Sequence, residues 1–234
     1  MFESLKSKFQ FQLKLKDRVN AANILAAALS DRLSKQERQN ACILGIPRGG
    51  VIIADIVASK LQTANFNIII PRKLTIPNNE EIAFGAVMFD GMTYLNHSIE
   101  VPPKYIEIEK LKQIQEIKRR LHLYLATDNT NYFGSVMIDD SIVILVDDGV
   151  ASGATFAVAA MWIRKFYTPK MIVAAATVAP KETVEFLKNE VEQVEVITQP
   201  SSSNFNYVGQ YYQEFPQVTD EQVIQVMKAR KLLN

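Results

Sequence analysis

The chain has 234 residues, 48% of them hydrophobic and 22% charged, with a formal net charge of +1 and a single cysteine, Cys42. This supports one sizeable core and a single domain over 1–234, and shows neither the basic footprint of a nucleic-acid binder nor an acidic tail. One cysteine forms no intrachain disulfide, which fits a reducing cytoplasm, and no apolar run is long enough for a bilayer, so no membrane partner is expected.

Met1 to Arg18 is basic, with scattered Phe and Leu but no continuous apolar segment, so it reads as an N-terminal arm rather than a secretory signal. From Asp17 to Leu33, Val19, Ala22, Ile24, Leu25, Ala28 and Leu29 recur at helical spacing, with Asp17 as cap and the polar run Ser34 to Asn40 as terminator. Ala41 to Ile46 is a short buried strand leading into Pro47-Arg48-Gly49-Gly50, and Val51 to Leu61 reads as a helix. Strand, glycine turn and helix in that order form an anion-binding geometry, or else a tight turn with a solvated arginine. Gly45 and Gly50 have P-loop spacing, but Val51-Ile52 stands where Lys and Ser/Thr are needed, and no G-x-G-x-x-G is present.

Phe66 to Ile70 is the next strand. Arg72 and Lys73 follow it, at the end of an open α/β sheet where ligands bind, although a solvated basic edge is the alternative. Pro77 with Asn78 and Asn79 reads as a loop that is mobile when empty, and Asp90-Gly91 between Val87–Phe89 and Thr93–Leu95 signals a hairpin. Pro102 and Pro103 start a long helix with an apolar stripe of Leu111, Ile114, Ile117, Leu121 and Tyr124 or Leu125. Its opposite face carries Lys110, Lys112, Lys118, Arg119 and Arg120, partly offset by Glu107, Glu109 and Glu116; a solvated face is the commoner reason for such a pattern. His97, His122 and Cys42 do not make a zinc site by themselves, and no Ser–His–Asp arrangement is legible.

The most informative stretch is Ser141 to Thr155. Ile142 to Val146 is an apolar, mostly β-branched run that fits a strand buried on both faces, and it ends in Asp147 and Asp148. A small-residue loop with Gly149 and Gly153 precedes a helical pattern from Ala154. Gly153 lets backbone approach an anion, Ser152 and Thr155 add hydroxyls, and the N–H groups and dipole of the following helix favour negative charge. Two carboxylates beside such a cradle would repel the phosphate unless they face sugar hydroxyls or a magnesium ion carried by the ligand. Each feature alone also reads as a solvated acid pair with Ser152 capping a helix; their order favours a ligand with a phosphate and a ribose diol.

Further on, Met171 to Val178 and Val194 to Ile197 are strands flanking a helix at Lys181 to Lys188, so a doubly wound, mostly parallel α/β sheet is the economical architecture. Ser201 to Pro216 combines serines with Phe205, Tyr207, Tyr211, Tyr212 and Phe215, aromatics that either stack on a planar base or pack locally. Thr219 or Asp220 caps a last helix ending near Leu233.

Val146 to Thr155, V-D-D-G-V-A-S-G-A-T, resembles the phosphoribosyl-pyrophosphate (PRPP) motif of the type I phosphoribosyltransferases. The resemblance implies that Asp147 and Asp148 hold the ribose hydroxyls and that Ala151, Ser152, Gly153, Ala154 and Thr155 wrap the 5′-phosphate. Arg48-Gly49-Gly50 is similar to the family's pyrophosphate loop, which often contains a strained or cis peptide, and Lys73 matches a cation found after the next strand. The segment from Lys73 to Ala86 resembles a poorly characterised branch of the family, with Asn79, Glu81 and Gly85 on its pattern, as does Phe215 to Glu221. Two departures stand out. Ser152 replaces the usual Thr and keeps the hydroxyl, while Ala151 replaces an Asp that handles the base's proton in 6-oxopurine enzymes.

The family resemblance implies a sheet order 3-2-1-4-5 with a small hood, a lid or insert over 73–140, a hood loop over 199–217, Mg2+ carried with PRPP, an unidentified acceptor and a homodimer. On that reading Asp147, Asp148 and Arg48 are the catalytic groups, with Arg48, Gly49 and Lys73 on the pyrophosphate. The rival readings are a PRPP-sensing regulator without transferase activity and an interaction protein using the basic helix Pro103–Leu125.

Overall fold

The computed structural model describes residues 14–77, 79–125, 133–134 and 136–231. The first helix, α1 (Arg18–Arg32), is capped by the Asp17 side chain and buries Ala21, Ala22, Leu25, Ala26 and Leu29. The polar run expected to end it instead forms a separate short helix, α2 (Lys35–Gln39), because Ser34 and Glu37 make a reciprocal capping box. The rest of the N-terminal arm lies outside the described residues up to position 13.

The core strands are β1 (Cys42–Gly45), β2 (Phe66–Ile68), β6 (Ile142–Asp147), β7 (Met171–Val178) and β8 (Gln193–Thr198). They form a parallel sheet in the order β2-β1-β6-β7-β8. β1 and the apolar part of β6 are buried throughout, as a strand covered on both faces must be. Strands two and one stand side by side as expected, followed by later core strands. The correction concerns the third strand: β3 (Arg72–Ile76) joins β4 (Asn79–Val87) and β5 (Thr93–Leu95) in a separate antiparallel sheet rather than flanking β2.

β3 and β4 also replace the mobile loop expected around Pro77. Leu74 pairs with Gly85 and Lys73 with Ala86 across the hairpin, so most of Lys73–Ala86 is strand. Asn78 and the Glu81 side chain lie outside the described residues.

Helix α3 (Gly49–Leu61) starts two residues before the expected Val51 and packs against α1 and β1. Helix α4 (Pro103–Leu125) rests on β3, and its buried residues are Glu109, Gln113, Ile117, Leu121 and Tyr124. The expected stripe holds only from Ile117 onward, since Leu111 is 62% exposed. The inward row is set by i, i+4 spacing from Glu109, so two polar side chains occupy positions that composition assigns to Leu and Ile. Helices α5 (Ala154–Phe166), α6 (Lys181–Leu187) and α7 (Asp220–Lys231) complete the chain, with α7 against α3 and α4.

Register positions the site. Gly45 lies opposite Val146, so the turns after β1 and β6 leave the same edge of the sheet side by side. Open α/β sheets bind ligands beyond the carboxyl ends of such strands.

Candidate active site

Pro47 to Gly49 and Asp147 to Gly153 line one cleft of about 1050 Å³. Arg72 and Lys73 enter from β3, Gln113 and Arg119 from α4, and Tyr207 and Gln217 from the C-terminal segment. The turns nearly touch. A Cβ on Gly49 would overlap the Asp148 carboxylate, and one on Gly50 would stand 2.7 Å from Asp147 Cα. Glycine at both positions therefore makes room for the acid pair. The Pro47–Arg48 peptide is cis.

The loop after the acids has the form of an anion cradle. Gly153 adopts φ +80°, a conformation that glycine reaches without a Cβ clash, and it opens α5. No side chain caps that helix; Ser152 Oγ comes no nearer than 3.5 Å to the Ala154 N–H. The leading N–H groups and the positive end of the dipole thus remain for a ligand or water. Thr183 braces the loop from behind by donating to the Ala151 carbonyl at 2.5 Å.

The two acids sit in different surroundings. Asp148 accepts a 2.7 Å bond from Arg18 Nε, and Arg18 also donates to the Pro216 carbonyl at 2.6 Å and lies 3.7 Å above the Phe215 ring. Asp147 accepts from the Asp148 N–H at 2.7 Å, but burial and the Asp148 charge push its pKa well above the usual carboxylate range, only partly opposed by Lys73. The pair therefore sets an arginine-bound side chain beside a carboxyl that resists ionisation. A raised carboxyl pKa stabilises the fold below the ordinary value, near pH 4, and that contribution is lost as pH rises through the folded value. Asp147→Asn, whose amide oxygen still accepts from Asp148, is expected to raise stability at neutral pH by about 1–2 kcal/mol and to leave it unchanged near pH 4. Thermal melts across that range check this.

Sequence reasoning placed Arg48 here but missed what surrounds it. Its guanidinium stands 3.3 Å from Gln217 Oε1 and 3.5 Å from Asp220 Oδ1, long bonds that leave it able to turn to a ligand. Asp220 does not cap α7. Thr219 does, accepting from Gln222 N, while Asp220 takes a 2.5 Å bond from the Tyr124 hydroxyl and another from Arg119. Arg18 and Thr177 were also missed, and Tyr212 was read only as an aromatic of the C-terminal loop: Tyr212 and Thr177 both donate to the Asp148 carbonyl, at 3.0 and 2.6 Å. One signal for Arg18 existed. A cation in a helix's first turn opposes the dipole and calls for an acidic partner.

The aromatic loop mostly packs on itself. Tyr211 and Tyr212 are buried, and Phe205 stacks on Tyr211, whereas Tyr207 and Phe215 line the cleft. Among the described residues no cluster of three or more His, Cys, Asp or Glu is placed to hold a metal, and no helix is long and apolar enough to cross a membrane.

Residues 13–213 match the family model described as the phosphoribosyl transferase domain. The chain belongs to that family. Two Mycobacterium tuberculosis sequences, from two strains and each bearing the name "Putative phosphoribosyl transferase", are 30% identical over 200 residues. The match covers 84% of this chain and 43% of theirs, so the chain spans less than half the length of these curated relatives. The crystal structure of TT1426 from Thermus thermophilus is 32% identical, with a TM-score of 0.70 over 92% of this chain and 97% of that one. In this phosphoribosyl transferase domain the fold likeness therefore extends over nearly the whole sequence.

Proposed function

We propose that this chain binds PRPP and transfers its 5-phosphoribosyl group to a nitrogenous acceptor, releasing pyrophosphate. The observation that carries this reading is the meeting of the Arg48-Gly49-Gly50 turn with Asp147 and Asp148 at adjacent strand ends, beside the Ala151–Thr155 loop. The 5′-phosphate takes the loop from Ala151 through Ser152, Gly153 and Ala154 to Thr155, the diol faces Asp147 and Asp148, and the pyrophosphate lies toward Arg48, Gly49 and Lys73. In the transfer the acceptor nitrogen's lone pair forms a bond to C1, the C1–O bond breaks, and its electron pair leaves with pyrophosphate; the acceptor's N–H proton passes to solvent. Positive charge grows on the sugar beside the carboxylates, and negative charge grows on the leaving group beside the cations. Preorganised groups of this kind are each worth on the order of 10²–10³ in rate.

The acid pair, with its unfavourable buried charge on Asp147, fits a Mg2+ ion brought by the ligand's phosphates, and Asp147 and Asp148 are the residues that would hold it. Bound there, it would neutralise part of the diphosphate charge. The domains expected at 73–140 and 199–217 serve on this reading as cleft wall and hood, with the hood tied to the N-terminal arm where Leu15 pairs with Tyr212.

A second reading, a PRPP-binding regulator without transfer, draws on Ala151, which offers no side chain for an acceptor's proton. Calorimetric titration of PRPP with Mg2+, followed by a pyrophosphate-release screen over nucleobases and amines, separates the two. Binding with release supports the transferase, binding without release supports the regulator, and no binding removes both.

A further inference from the structure

The inward face of α4 is chemically odd. It buries Glu109 and Gln113 while Ile108 and Leu111 on the same helix stay 56% and 62% exposed. Turning two polar side chains in and two apolar ones out sacrifices apolar burial, so the buried pair needs a purpose. Gln113 Nε2 donates to Glu109 Oε1 at 2.7 Å, which fixes the amide so that its oxygen faces β3. That oxygen accepts from Arg72 Nε at 2.8 Å.

Arg72 is thereby held by a neutral amide. Among the described residues it has no ion-pair partner, whereas Arg119 and Arg120 are tied to Glu116 and Arg48 to Asp220. Burial and the nearby Arg120 lower its pKa, with the charges of Glu116 and Glu109 opposing them. The bond to Gln113 uses Nε and leaves the two terminal nitrogens, the fork that suits a phosphate oxygen pair. Arg72 lines the same cleft as Asp147 and the phosphate loop, with Lys112 and Arg119 beside it on α4.

We propose that Arg72 is a diphosphate-binding residue of this cleft, that Glu109 and Gln113 are its positioning residues, and that α4 supplies the rigid cationic wall against which the leaving group sits. This rests on the PRPP reading: with one phosphate on the Ala151–Thr155 loop and the sugar at the acids, the diphosphate is the charge still to be placed. It gives the basic face of α4 a role in the site, and it makes Arg72, rather than the exposed Lys73, the principal cation from β3.

Two probes test it by calorimetry on the full chain: inorganic pyrophosphate, and ribose 5-phosphate for the other half of the cleft. Arg72→Met is expected to lower pyrophosphate affinity by about 10–100-fold and leave ribose 5-phosphate affinity unchanged. Gln113→Leu keeps the charge but releases the guanidinium, and is expected to lower pyrophosphate affinity by about 3–10-fold with the same selectivity, which a general loosening of the fold would not show. If Arg72→Met does not fold, Gln113→Leu read with both probes decides. Unchanged pyrophosphate affinity in the folded variants, equal losses for both probes, or a wild-type chain that binds ribose 5-phosphate but not pyrophosphate overturns the proposal. Failure of the wild-type chain to bind ribose 5-phosphate overturns the PRPP reading instead.

Discussion

Asp148→Asn is expected to reduce phosphoribosyl transfer by about 10²–10³-fold while the domain stays folded. The carboxylate has two tasks on the proposed reading, and only one of them survives the change. Arg18 holds Asp148 at 2.7 Å, and an asparagine oxygen still accepts from that Nε, so the structural bond is weakened rather than removed. Arg18 keeps the Pro216 carbonyl and the Phe215 ring as further partners. A stability loss of about 1–2 kcal/mol follows from trading a charge-assisted bond for a neutral one. The charge that steadies the developing cation at C1, by contrast, is gone. Arg48→Ala makes the companion test, because its bonds to Gln217 and Asp220 are long and its removal has little to destabilise. Turnover and urea melts on the two variants separate chemistry from folding. Unchanged kinetics in both would remove the site assignment.

Local patterns carried much of this architecture. The apolar run ending in Asp147 and Asp148 fits a strand covered on both faces, and the glycines after it fit a loop whose backbone comes close to a ligand. Residues within ten positions of one another state such rules openly. What stayed hidden depends on partners far apart in sequence: Arg18 meets Asp148 across 130 positions, and Arg48 meets Asp220 across 172. Nothing near Asp220 distinguishes a helix cap from an ion-pair hub, and Thr219 satisfied the capping pattern equally well. The α4 stripe misled for a related reason. Periodicity identifies faces by apolar content, yet this helix turns a Glu–Gln row inward because β3 presents an arginine there. The loop expected at Pro77 failed differently: turn residues there punctuate a hairpin whose pairing partners, Leu74 and Gly85, were not read as strands.

Gly49→Ala and Gly50→Ala, one position apart, are expected to fail in opposite ways. At Gly50 the added methyl meets backbone, lying 2.7 Å from Asp147 Cα and crowding the Val146 carbonyl. Val146 is paired with Gly45, and its carbonyl accepts the Ile46 N–H at 2.8 Å, so these atoms retreat only if β1 and β6 part. Overpacking of this kind costs about 1–3 kcal/mol, which at roughly 2–4 °C per kcal/mol for a chain this size predicts a melting temperature lower by about 2–12 °C. At Gly49 the methyl meets side chains instead, the Asp148 carboxylate and Arg18 Nε at 3.0 Å. Side chains can swing away without parting the strands, so the melting temperature falls only by the few degrees that loosening the Arg18–Asp148 bond costs, but the swing takes Asp148 off Arg18 and out of the line that a ribose diol needs. PRPP affinity is then expected to fall by about 100-fold or more, a loss of about 2.7 kcal/mol. If Gly49→Ala bound PRPP as wild type does, the closeness of the arginine turn to the acid pair would be a matter of packing alone, and the cleft would have to be read without it.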